Sequence, residues 1–187
     1  TIMRKNQPII GANDGASGVA VILELAKIMK KNSPPIGVSL VLFDAEDYGT
    51  SADSWSYAKG SQFFAQNIPI NYPMYAINLD MIADREPEFY IERYSYQQNP
   101  TLVLELWELA ESLNLDTFKK QAKYTIFDDH VPLYQMAGIP AIDIIDFDFP
   151  NEKTNYHHTH QDIVQNCSPK GLGEVGTLML NHIYNIK

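Results

Sequence analysis

Cysteine is nearly missing from this chain: Cys167 is the only one. An internal disulfide is therefore excluded, and so is a cysteine-rich zinc module. Cys167 precedes "SPKGL", where Ser168 reads as a helix N-cap and Pro169 as the first helical residue, so the thiol reads as structural. Long apolar runs are missing too. None approaches the roughly 18 residues of a membrane span, and the opening "TIMRKNQPII" shows no signal-peptide h-region. Basic residues are scarce, 14 against 23 acidic, for a net charge of −9. Nucleic acid and anionic membrane both call for a basic footprint, so neither is expected as a partner.

What remains is ordinary for a globular domain. The chain has 187 residues, 45% hydrophobic and 20% charged, enough for one α/β domain with a sizeable core. Helical and strand patterns alternate. Residues 15–31 read as a helix, with Val19, Ile22, Leu23, Ala26 and Met29 at three- and four-residue steps. "KKNSPPIG" is a linker. Residues 38–43 read as a buried strand, because a near-continuous aliphatic run suits a sheet covered on both faces. A short helix is expected near 60–67, a second buried strand over 74–83 and an edge strand over 88–95. A helix over 99–115 is capped by Asn99 and opened by Pro100. A short helix over 130–138 ends at Gly138, a third buried strand spans 139–147, and the closing helix covers 168–186.

The first strand runs directly into "DAEDYG", with Asp44, Glu46 and Asp47 crowded at its C-terminal end. Open α/β sheets bind ligands at that end, and repelling carboxylates placed there are commonly reconciled by a cation. Other acids and histidines stand beside buried elements: Asp14 before a helix, Asp80 near the end of a strand, Asp128, Asp129 and His130 before another helix, and His157, His158, His160 and Asp162 in a loop. Each alone has a plain structural reading as a cap, a strand end or a solvated turn. Together, three of the acids converge on one edge of one sheet. Neighbouring side chains leave an extended backbone on opposite sides, so of Glu46 and Asp47 one can hold an ion while the other faces a substrate. A carboxylate beside an ion but not bound to it can move protons.

"GANDGASGVAVILELAK", "VSLVLFDAEDYG", "YAINLDMI", "DDHVPLYQMAGIPAIDII" and "HHTHQD", in that order over roughly residues 6–184, resemble the zinc-dependent aminopeptidase family that includes the glutaminyl cyclases. The likeness to the bacterial cyclases is greatest. The resemblance implies a three-layer αβα sandwich with a mixed, mostly parallel central sheet, and one catalytic domain across 1–187. It implies that Asp14, Asp47 and His158 bind zinc and that Glu46 shuttles protons. Asp80 matches a ligand of the second metal in the aminopeptidases; in the cyclases that aspartate is instead hydrogen-bonded to the one matched here by Asp128, and such a pair shares a proton. His157 stands where the cyclases usually carry tryptophan. The family's His-x-Asp motif would precede residue 1. The chain is thus expected to be N-terminally truncated, with one zinc, or two if the upstream histidine is present. Without that part the sheet lacks strands, and "RKNQPIIG" begins near an exposed edge.

Three functions follow as expectations. The first is a glutaminyl-peptide cyclotransferase that turns N-terminal glutamine into pyroglutamate with release of ammonia. The second is an aminopeptidase, and the third a metal-binding fragment without turnover. In the first two the partner is a peptide N-terminus; Glu46, Asp80 and Asp128 form the catalytic set of the cyclase, and in the aminopeptidase Glu46 is the base and Asp80 a metal ligand. The family likeness suggests the periplasm or cell exterior.

Overall fold

The computed structural model describes residues 7–69 and 71–186. Six helices are α1 (Ala16–Lys31), α2 (Lys59–Gln66), α3 (Arg93–Gln98), α4 (Pro100–Ser112), α5 (His130–Ala137) and α6 (Pro169–Asn185). The strands are β1 (Ala76–Asp80), β2 (Phe89–Ile91), β3 (Phe118–Ala122), β4 (Ala141–Ile145) and a small hairpin of β5 (Pro150–Asn151) and β6 (Thr154–Asn155). β1 pairs parallel with β4, β2 pairs parallel with β3, and β2 lies alongside β4. Among the described residues, no helix is long and apolar enough to cross a membrane.

Alternation along β4 builds the layers. Ile142 and Ile144 point into the main core with Val21, Leu25, Leu106, Trp107, Val175 and Leu178, which come from α1, α4 and α6. Ala141 points the other way, onto Leu133 and Ile139 beside Phe64 of α2. Helices therefore cover both faces of a mostly parallel sheet, the αβα arrangement. The buried Trp107 indole donates to the carbonyls of Phe89 (3.2 Å) and Lys119 (3.0 Å), tying α4 to β2 and β3.

Three expectations need correction, and one strand has no signal in the sequence. Residues 38–43 form no strand: they pair with no other segment among the described residues, and Leu40 and Leu42 are 40% and 58% exposed. β1 pairs with β4 alone on its other side, and a cavity of about 1810 Å³ is lined by both Val38–Phe43 and Tyr75–Asp80. The apolar run has the composition of a covered strand but no neighbour to bond. Residues 88–95 do not run through as a strand, because Glu92 accepts hydrogen bonds from the backbone of Tyr94 and Ser95 and starts α3 instead. The strand β3, with the polar sequence "FKKQA", carries no apolar alternation by which to be read. Finally, α1 buries Ser17, Gly18, Val21 and Leu25 rather than the larger stripe, and Leu23 is exposed. The expected edge at "RKNQPIIG" lies partly on residues 1–6, outside the described residues; Ile9 and Ile10 are exposed.

The rotation of α1 has a steric cause. A Cβ at Gly18 would stand 2.0 Å from the Leu79 carbonyl oxygen, so α1 meets β1 at its smallest residue. Gly18→Ala is expected to cost about 1–3 kcal/mol, by overpacking. Gly176→Ala, in α6 with nothing within 4 Å, should instead add about 0.5–1 kcal/mol. Urea denaturation of the two variants checks both signs.

Asp146, just after β4, accepts from the Glu88 and Asp148 amides and is held near pKa 7 by burial; burial first and then Asp128 raise Asp129 to about 7 as well. A carboxyl with a raised folded-state pKa holds its proton longer in the folded chain. Its stabilising effect is full below the ordinary value of about 4 and is lost as pH rises towards 7. The metal-free protein should therefore lose unfolding free energy between about pH 4 and 7, and Asp146→Asn should flatten that loss. Unfolding curves at several pH values test this.

Candidate metal centre and acid cleft

Asp14 sits in the turn before α1, and the loop around it is tied from two sides. The backbone N–H groups of Asn13 and Asp14 donate to the two carboxylate oxygens of buried Asp162, at 2.7 and 3.1 Å. The Asn13 side chain accepts from the Ala83 amide at 2.7 Å. One aspartate thus joins the "HHTHQD" turn to the turn before α1, and one asparagine joins that turn to the segment after β1. The second acid loop is held by α2: the amides of Ala58, Lys59 and Gly60 donate to the carbonyls of Glu46, Ala45 and Asp44. Ala45, Met81 and His158 all take positive φ, at 52°, 49° and 57°. Each adjoins or is a site residue, which is where such backbone strain tends to gather.

These loops bring Asp14, Asp47 and His158 together. His158 Nε2 is 2.8 Å from Asp47 Oδ1 and 3.3 Å from Asp14 Oδ2. Donor atoms about 2 Å from a tetrahedral zinc lie roughly 3.3 Å from one another, and the two His158 contacts lie near that spacing. His157 joins them: its Nε2 is 3.5 Å from Asp14 Oδ2 and its ring stacks on His158 at 3.7 Å. The family resemblance sets His157 only where the cyclases usually carry tryptophan and gives it no role as a donor. Asp14, His157 and His158 form a possible donor triad in their own right.

The electrostatics show why a cation suits the place. Burial, then the Asp47 charge, raises Asp14 to a pKa of about 6. Burial, then Asp128 and Asp47, pushes Glu46 up to about 10. The hydrogen bond from His158 holds Asp47 below the usual range and raises His158 in return. Glu46 and Asp47 stand close enough for each to shift the other's pKa. Asp80 ends β1; burial and the charges of Asp128 and Asp14 hold its carboxyl well above the ordinary value. Asp128 accepts from the Asn78 side chain at 2.7 Å, and burial raises it. Asp14, Glu46, Asp47, Asp80, Asp128 and Asp129 all line the cavity between residues 38–43 and β1. These are acids that coexist only by holding protons, pairing with histidine or sharing a cation.

The sequence reading passed over Asn13, Asn78, Glu92 and Asp143. A signal existed for two of them: Asn78 and Asp143 are polar residues facing each other in register within the otherwise apolar strands "AINLD" and "AIDII". Polar side chains inside covered strands need partners, so they mark a buried network.

Among known proteins, the chain is similar to Bacteroides thetaiotaomicron glutaminyl cyclase, solved bound to N-acetylhistamine (33% identity, TM-score 0.91, covering 100% of this chain and 68% of that one). It is similar to Tannerella forsythia glutaminyl cyclase (37% identity, TM-score 0.91, 97% of this chain and 66% of that one). A curated relative, Aminopeptidase YwaD of Bacillus subtilis, is 27% identical over 182 residues, 93% of this chain. The chain spans 37% of that relative's length and about two thirds of the solved structures. Residues 3–183 match peptidase family M28. With the αβα layers and an Asp–His donor cluster at the sheet's end, the chain belongs to peptidase family M28.

Proposed function

We propose that this chain carries the catalytic site of a zinc-dependent glutaminyl-peptide cyclotransferase. The observation that supports it most is a donor cluster for one ion, Asp14, Asp47 and His158, with Glu46 beside it and Asp80 and Asp128 across the cleft. Similarity to several glutaminyl cyclases at 33–37% identity points the same way.

Zinc held by Asp14, Asp47 and His158 would polarise a carbonyl oxygen, and its charge would offset the repulsion that keeps Glu46 protonated. The chain's own groups do the rest. Asp80 and Asp128 accept hydrogen bonds from the substrate's α-amine and amide and so orient the amine towards the γ-carbonyl carbon. The new C–N bond forms as Glu46 takes a proton from that amine. Glu46 then returns the proton to the amide nitrogen, which leaves as ammonia, and the C–N bond to it breaks. Burial of Glu46 among other acids favours its holding the proton between these two transfers.

A second reading is an aminopeptidase, favoured by the curated relative and by Asp80 lying close enough to Asp14 to feel its charge. Ammonia with pyroglutamate supports the first reading; free amino acids from unblocked peptides support the second. An exported location accords with the family likeness, and cell fractionation tests it.

Glu46→Gln should retain zinc and lose turnover by about 10²–10⁴-fold, since only a proton carrier is removed. Steady-state kinetics with metal analysis decide it, and near-full activity would remove Glu46 from the mechanism. Asp47→Ala and His158→Ala should lose zinc and the rise in melting temperature that zinc confers on the parent protein. Unchanged zinc content in both would refute the ligand set.

A further inference from the structure

Behind the cleft lies a set of side chains that the chemistry above leaves unused. Glu92, His130 and Asp143 are each 0% exposed. They come from three elements: Glu92 precedes α3, His130 opens α5, and Asp143 stands in the middle of β4. Burying three ionisable groups is costly unless they satisfy one another, and their contacts run in sequence.

Glu92 accepts from the amides of Tyr94, Ser95 and Ile126 at 3.0, 2.6 and 3.0 Å, and from the Ser95 hydroxyl at 2.9 Å. Its Oε2 is 3.2 Å from His130 Nε2. His130 Nδ1 then faces Asp143 Oδ2 at 3.9 Å, beyond hydrogen-bond distance, and neither atom has a hydrogen-bond partner; the Ser95 hydroxyl, which donates to Glu92 Oε2, accepts from the Asp143 amide at 2.9 Å and links the two. Asp143 Oδ1 accepts from the Asn78 amide nitrogen at 3.2 Å, and the same nitrogen donates to Asp128 Oδ2 at 2.7 Å. The chain of contacts begins at a helix cap and ends at Asp128, which lines the cleft.

A cap for α3 needs only Glu92, and a buried ion pair needs only Glu92 and His130. Neither accounts for the continuation through Asp143 to Asp128. That continuation has a use if Asp128 must stand in one place. Asp128 Oδ1 already accepts from the Asp129 amide, so what the continuation adds is a hold on the other oxygen, Oδ2, through Asn78.

We propose that Glu92, His130 and Asp143 are positioning residues for Asp128, holding its carboxyl in the one orientation that receives substrate, and that they act on the reaction only through it. The proposal rests on the reading above, in which Asp128 touches the substrate. Misplacing a substrate-orienting group by about 1 Å can cost up to about 100-fold in rate.

The test is a double-mutant cycle on the zinc-loaded protein, read in whichever of the two assays the parent turns over. Glu92→Gln keeps the size of the side chain but turns one of its two accepting oxygens into an NH2 donor, so it weakens both the cap and the hold on His130. It should lower kcat by about 10- to 100-fold with KM near the parent's and zinc content unchanged. Placed on top of Asp128→Asn, the same change should cost almost nothing further, because the residue it acts through is already altered. An equal loss in both backgrounds would overturn the proposal. So would a lower melting temperature with kcat intact, which is what a plain cap would show. His130→Asn is the stronger variant, but it opens a buried site and can unfold the chain; Glu92→Gln keeps the question decidable. A readout without turnover is ¹³C NMR of labelled aspartates: Glu92→Gln should shift the Asp128 carboxyl resonance, and an unmoved resonance would sink the idea. If the parent turns over neither substrate, the functional reading fails, and the resonance alone decides the positioning chain.

Discussion

Like charge crowded at the end of a sheet is the constraint on which this molecule turns. Asp14, Glu46, Asp47, Asp80, Asp128 and Asp129 line one cavity, and several press on one another strongly enough to raise one another's pKa. Such a set would tear itself apart as six anions. It survives because each acid has found one of a few exits: histidine beside Asp47, a retained proton for Glu46, and amides for Asp128. On the function proposed above, the same exits are the parts of a reaction centre: a position that tolerates a cation, an acid that keeps a proton and an acid that accepts a hydrogen bond are what amide chemistry at a peptide terminus requires.

The fold supplies these parts from distant places. Asp80 ends β1, Asp128 precedes α5, Glu46 and Asp47 ride on the start of α2, and Asp14 precedes α1. All but the strand residue sit in turns, where neither helix nor sheet dictates the side-chain direction. The backbone bonds that fix those turns therefore matter as much as the acids they present.

Much of this was legible in the chain. The helices at 15–31, 99–115 and 168–186 and the strands at 74–83 and 139–147 announce themselves by periodicity, caps and apolar runs, and the structure forms each of them with ends displaced by a few residues. The acids and histidines of the donor cluster were nameable because chemistry-bearing residues stand beside apolar elements. What was not legible has physical reasons. An apolar run at 38–43 promises a strand, but a strand also needs a partner, and composition cannot say whether one is present. The buried face of α1 follows from Gly18 meeting Leu79, a contact with no trace in helical periodicity. β3 is polar because most of it lies exposed. Glu92 and Asp143 looked like strand residues, since only the three-dimensional arrangement shows that His130 lies between them.

The bond from Asp162 to the Asn13 and Asp14 amides spans nearly the whole chain, with 149 and 148 residues between partners. Closing so long a loop carries an entropic cost that grows with the logarithm of its length, at about 0.6 kcal/mol per doubling. Nothing local can repay it, so the turn carrying His158 reaches Asp14 only once the layers between them have packed. The donor cluster is therefore a late product of folding, with high contact order. A partly folded chain holds its acids apart and offers an ion no ready-made seat, so metal uptake reports completion of the fold rather than guiding it.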